Sequence, residues 1–186
     1  LSVLDKTKLA PNGSITKTLL GNAFMSDADA QTLLDFARGW SKEKDPVTGQ
    51  SYPRNFMGDM LNTKPLLVDY GTTKRVFTAT NEGFLHSIDT DSGVEQWAFM
   101  PKSLLKNIKT FYENVPVLDA NKQPQHIYGF DGALTLWNYD SDHNGKIDNA
   151  NDNRILFFNM RRGGNAYYAL DITSPDTPKI LWKKAR

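Results

Sequence analysis

The chain of 186 residues contains no cysteine. That absence excludes disulfides, thiolate metal sites and cysteine nucleophiles together. Histidine is scarce as well: His86, His126 and His143 have no spacing that suggests a zinc site or a catalytic triad, and each reads as a strand or loop residue. No excess of one charge is present, since 22 Lys and Arg balance 21 Asp and Glu to a net +1, so no global field points to nucleic acid or an anionic membrane. The basic pairs Arg161-Arg162 and Lys183-Lys184 read as solvated turn and strand-end residues. No run approaches the roughly 20 apolar residues of a membrane-spanning helix. No signal sequence is recognisable, so an exported chain is expected to have lost its signal ahead of Leu1.

The most informative residues are Asp140-Ser-Asp142-His-Asn144-Gly145-Lys146-Ile147-Asp148. They place oxygen side chains at positions 1, 3, 5 and 9 of a loop and glycine at position 6, where a calcium loop turns sharply. Three carboxylates this close repel one another unless a cation lies among them. The expected ligands are the side chains of Asp140, Asp142, Asn144 and Asp148 and the main-chain carbonyl of Lys146, with water completing the shell of a Ca2+ ion. A many-oxygen flexible loop suits calcium better than magnesium. The plain alternative is a solvated Asp/Asn-rich hairpin turn. Position 12, where a helix-loop-helix sensor carries a bidentate Glu, is Asn151, followed by Asp152. The flanks, Ala133–Tyr139 and Arg154–Met160, have the composition of strands, so the loop is expected to join a β-hairpin.

Along the chain, Ser26 is placed to cap a helix over about residues 27–38, with Asp27 and Asp29 at its positive end, Ala30, Leu33, Leu34 and Ala37 along one face, and Gly39 as a stop. It is the only convincing helix in the sequence. Ser41 to Gln50 reads as an exposed loop. From Leu66 to Trp182 the pattern is short strands separated by turns. The expected division is therefore a lead-in segment over 1–65 and β-propeller blades over 66–186. Trp40, Tyr52 and Phe56 have two readings, contact with an external partner and packing of the lead-in segment, of which packing is the ordinary case.

A repeat supports that division. Arg75–Trp97 runs strand, Asn-Glu-Gly turn, strand, Asp-x-x-Ser-Gly turn and Trp-bearing strand, and a second copy runs from Asn165 through Asp171 to Trp182. The equivalent Asp89 and Asp171 are 82 residues apart, two units of the roughly 40–45 residues of a four-stranded propeller blade. A third, divergent blade carrying the calcium loop is expected between them. Asp89 and Asp171 are expected to accept hydrogen bonds from the turns that follow, with Trp97 and Trp182 packing against the neighbouring blade.

The phrase Ser87-x-Asp89-x-x-Ser92-Gly93-x-x-x-Trp97 resembles the tryptophan-docking repeats of quinoprotein-like propellers. Longer phrases, Gly58–Gly71 leading into Val76–Asp89, Trp97–Leu105, and Arg162–Thr173 with the calcium loop before it, resemble the PilC/PilY family of type IV pilus proteins from about Gly58 to the end. The resemblance implies a modified β-propeller that is exported to the bacterial surface, outer membrane or pilus. It also implies calcium in a loop of this kind, work with pilins and minor pilins in pilus biogenesis and in opposing retraction, and adhesion to a host surface ligand. Carried over, its ligands fall on Asp140, Asp142, Asn144, the Lys146 carbonyl and Asp148, with Asn144 giving one negative charge fewer than Asp. The fold expected is thus mainly β, a partial propeller of two to three blades, and the function noncatalytic. An excerpt of a larger domain is expected, since a full propeller needs more blades. Two other readings are a quinone-dependent dehydrogenase, whose catalytic Asp, stacking Trp and polar clamps find no matching set here, and a scaffold whose calcium is only structural.

Overall fold

A computed structural model describes residues 15–54 and 56–185, so residues 1–14 of the expected lead-in segment lie outside the described residues. The protein is mainly β, with four sheets among the described residues, none of them closed. It divides into two compact units, one of residues 15–58 with Met100–Ile127, the other of Asp59–Phe99 with the residues from Tyr128 onward. Among the described residues no helix is long and apolar enough to cross a membrane.

The first unit opens with helix α1 (Asp27–Ala37), where Ser26 Oγ accepts the Asp29 amide at 3.0 Å and Gly39 follows at φ +94°. Ala30, Leu33, Leu34 and Phe36 are buried. Strands β1 (Trp40–Lys44) and β2 (Ser51–Pro53) pair as an antiparallel hairpin where an irregular loop was expected. Both strands are almost wholly exposed, so no alternation of apolar and polar residues marks them. Trp40 and Tyr52 stay about two-fifths exposed and Phe56 two-thirds.

The second unit begins with β3 (Leu66–Asp69), β4 (Lys74–Ala79), β5 (Leu85–Asp89) and β6 (Glu95–Phe99), an antiparallel meander in chain order. The chain then returns to the first unit, where a 3-10 turn over Lys102–Asn107 runs into α2 (Ile108–Glu113). Leu104, Leu105 and Ile108 are buried, Tyr112 meets Phe36 edge-on at 5.4 Å, and Asn114 ends the helix at φ 53°. This second helix is a correction to the single one expected; six residues are too few for a clear 3.6-residue period. A small hairpin of β7 (Val117–Leu118) and β8 (Pro124–Gln125) completes the unit.

Strands β9 (Thr135–Tyr139), β10 (Asn153–Asn159), β11 (Ala166–Asp171) and β12 (Lys179–Ala185) form a second four-stranded meander. Asp89 and Asp171 end the third strand of their respective sheets, and each strand carries a register shift at the same place, Ser87/Ile88 and Ala169/Leu170, just before the aspartate. The repeat is therefore genuine. The third, divergent blade expected between the two copies is not found; the extra length is taken up by Met100–Ile127 of the other unit and by the long β9–β10 loop, which belongs to the second meander itself.

The two meanders bury a common aromatic cluster, in which Phe99 meets Phe130, Phe158 and Tyr168 at centroid distances of 5.9–6.3 Å. Strand alternation explains the selection: Leu156, Phe158, Tyr168 and Leu170 on one face of the second sheet are buried, whereas Trp137, Tyr139 and Tyr167 on the opposite face are exposed. Trp97 is buried and donates its indole N–H to the Pro175 carbonyl oxygen at 2.8 Å, joining the sheets. Trp182 differs: it is two-fifths exposed and packs on Phe157 within its own sheet, at 6.0 Å. Gly129 and Gly163 are needed for close backbone approach, since a Cβ on Gly129 would lie 2.5 Å from Gly83 Cα and one on Gly163 2.0 Å from the Gly129 carbonyl oxygen.

Candidate metal centre

The oxygen-rich loop leaves β9 at Tyr139 and re-enters β10 at Asn153, and these two residues are directly paired across the sheet. Its ends are fixed by the ladder, with Leu136 opposite the fully buried Leu156. Within it, Gly145 takes φ +80° and His143 φ +59°, and these two left-handed positions fold the loop inward.

Ligand oxygens of Asp140, Asp142 and Asp152 lie within 4.8 Å of one another. Asp140 is half-buried and Asp142 exposed, while Asp152 is buried. Asp140 Oδ2 accepts the Gly145 amide at 2.7 Å and Oδ1 the Asn144 amide at 3.2 Å. Partial burial pushes the Asp140 carboxyl up, but the Gly145 amide and the other donors around it outweigh that and hold it below its ordinary value. The Asn144 amide nitrogen lies between two carboxylates, donating to Asp142 Oδ2 at 3.1 Å and Asp148 Oδ1 at 3.4 Å. Asn144 Oδ1 accepts the Lys146 amide at 2.8 Å. A half-turn of the Asn144 amide presents its oxygen to Asp142 and Asp148 instead, an arrangement that suits a cation at the same place.

Asp152 is the residue that the loop spacing left without a role, although it stands one place beyond the expected twelfth position. One of its oxygens accepts the amide and the hydroxyl of Ser141, at 2.9 and 2.8 Å; the other accepts the amides of Asp148 and Asn149, at 2.9 and 3.0 Å. Led by the Ser141 amide, these donors hold its carboxyl well below the usual carboxylate range despite burial. A carboxylate offers about four acceptor positions, and all are occupied. Asp152 therefore clasps the two halves of the loop and has little capacity left to ligate an ion. Asn149 braces the same turn, donating to Asp142 Oδ2 at 3.1 Å and accepting the Ser141 hydroxyl at 3.1 Å.

Of the sequence-derived ligands, Asp140 and Asp142 are thus brought together, Asn144 bridges Asp142 to Asp148, and Lys146 enters through its amide contact with Asn144. The donors are oxygens throughout, the chemistry of a hard cation.

No family model matches the chain. Among curated proteins, a "Type IV pilus biogenesis factor PilY1 homolog" of Xylella fastidiosa strain Temecula1 is 26% identical over 196 residues, covering 91% of this chain and 15% of the relative. "Type IV pilus biogenesis factor PilY1" of Pseudomonas aeruginosa strain UCBPP-PA14 is 25% identical, covering 85% of this chain and 14% of its own length. The chain thus spans about one-seventh of the length of these relatives. A crystal structure of the Pseudomonas aeruginosa PilY1 C-terminal domain is 27% identical with a TM-score of 0.39, covering 60% of this chain and 19% of that one. The chain is similar in sequence to one segment of the PilY1 proteins.

Proposed function

We propose that this chain is a noncatalytic, calcium-binding part of a type IV pilus biogenesis protein, in which its two meanders are successive blades of a propeller. Calcium is held by Asp140, Asp142, Asn144 and Asp148 and by the Lys146 carbonyl. The observation that carries the reading is the loop between β9 and β10, where the Asp140 and Asp142 carboxylates lie close together and the Asn144 side-chain amide lies between Asp142 and Asp148. The names of the relatives supply the pilus setting. Within the longer protein, placed at the bacterial surface or on the pilus, occupancy of the loop changes the hairpin surface offered to pilins and minor pilins, and through it pilus assembly, retraction and adhesion. The test is Asp148→Ala, read by calcium titration and by pilus display in a piliated strain carrying the full-length protein. Loss of both supports the proposal; unchanged values for both defeat it.

The Asp152 clasp favours a second reading, in which calcium only strengthens a loop that is already braced. Chelation then lowers Tm while pilus function survives at permissive temperature.

A further inference from the structure

Asn144 is followed by Gly145, and the loop surrounds this pair with groups suited to a reaction between them. The Gly145 amide nitrogen points its proton at Asp140 Oδ2, 2.7 Å away. The Asn144 side-chain carbonyl receives the Lys146 amide at 2.8 Å. The leaving-side nitrogen, Nδ2, lies against the Asp142 carboxylate at 3.1 Å. Asn144 and Gly145 are exposed, and a Cβ placed on Gly145 would meet nothing within 4 Å, so solvent reaches the pair.

We propose that Asn144 is a self-modification site, at which the Gly145 main-chain nitrogen attacks the Asn144 Cγ and converts the side-chain amide to a carboxylate. The bond formed is Gly145 N to Asn144 Cγ, closing a five-membered imide; nucleophile and electrophile are held on adjacent residues, so no encounter is required. Asp140 draws the proton from the attacking nitrogen. The Lys146 N–H stabilises the negative charge that develops on Oδ1 as Cγ becomes tetrahedral. The Cγ–Nδ2 bond then breaks and Nδ2 departs as ammonia, having recovered a proton through the neighbouring carboxylates or solvent. Water opens the imide at either carbonyl, leaving aspartate or isoaspartate at position 144. One water is consumed and one ammonia released, with no change of oxidation state.

The aspartate product gives the loop a carboxylate at every side-chain ligand position, Asp140, Asp142, 144 and Asp148, and one more negative charge. The isoaspartate product lengthens the main chain and spoils the turn. On the calcium reading above, a bound ion engages Asp140 and the Asn144 oxygen and so withdraws both groups from the reaction. The modification then belongs to the calcium-free protein.

The experiment holds the purified chain for days with a chelator or with calcium, then digests it and follows the amide-to-acid mass gain, separating the isomers by fragmentation. Asn149, Asn151 and Asn153, which lack a following glycine, serve as internal standards, and the Asn12-Gly13 pair reports the same chemistry outside the loop. With chelator, Asn144 is expected to convert several-fold faster than those three standards and faster in the native chain than in urea. Asp140→Asn, measured the same way, is expected to slow it roughly tenfold, modest for a positioned base. No conversion at Asn144, or conversion no faster in the native chain than in urea and unaffected by Asp140→Asn, overturns the proposal. Calcium should slow Asn144 and not Asn12. If both convert at rates indifferent to calcium, the calcium reading fails and the modification site stands.

Discussion

The Asp152 carboxylate accepts both the amide and the hydroxyl of Ser141, so the residue that ends the loop holds the residue near its start. The same carboxylate reaches Asp148 and Asn149 with its other oxygen. A single side chain thus sets the separation of the first and last expected ligands, Asp140 and Asp148.

Asp152→Asn replaces one acceptor oxygen by a donor facing other donors. Calcium affinity measured by isothermal titration is expected to fall about 10- to 100-fold, the range for residues that orient ligands without binding the metal. Ser141→Ala should give a smaller fall. An affinity unchanged in Asp152→Asn contradicts the clasp.

Trp97 ties the first meander to the second through the Pro175 carbonyl. Trp97→Phe keeps most of the buried ring and removes the N–H, costing about 1 kcal/mol of unfolding free energy. Trp97→Ala adds a cavity and should cost about 3–5 kcal/mol. Urea melts of both variants check the order; equal costs would show that the hydrogen bond, and not the ring, carries the junction.

Asp89 accepts the Ser92 amide and hydroxyl and the Thr73 hydroxyl, and beside Arg75 its carboxyl is held down to about 2. Its folded value lies below the roughly 3.9 of an unfolded aspartate. The contribution is therefore complete above about pH 4 and disappears as pH falls through about 2. Asp89→Asn is expected to be less stable at neutral pH and to show a flatter acid limb between pH 4 and 2, measured by denaturant melts across that window.

Gly163→Ala forces a methyl against the Gly129 carbonyl oxygen, backbone that cannot rotate away. A loss of about 1–3 kcal/mol or more is expected. Gly71→Ala makes the comparison informative, because its added carbon meets nothing within 4 Å and only its φ of +81° is strained. Thermal melts should rank Gly163→Ala as the worse of the two.

Short-range chemistry is legible in the sequence alone. The Ser26 cap, the turn at Gly93 (φ +70°) and the Asp89 and Asp171 turns depend on hydrogen bonds among residues two to four apart, and such spacing is visible in a string of letters. The loop motif was readable for the same reason, since alternating oxygens and one glycine are local. Whatever depended on distant partners was hidden. The β1–β2 hairpin has no buried face to impose alternation, and α2 is too short to show a period. An 82-residue interval between equivalent aspartates looked like two regular repeats, although much of it belongs to another compact unit.

By itself, the sequence determined a mainly β chain with a repeated Asp-turn-strand unit and an oxygen-rich hairpin loop, because those are consequences of side-chain type at fixed local spacing. Only the tertiary structure decided that the loop lies inside the second meander, that Trp97 and not Trp182 bridges the sheets, and that Asp152 spends its oxygens on closing the loop. Each of these depends on which groups folding brings within hydrogen-bond distance, and that is set by packing of whole sheets around Phe99, Phe130, Phe158 and Tyr168.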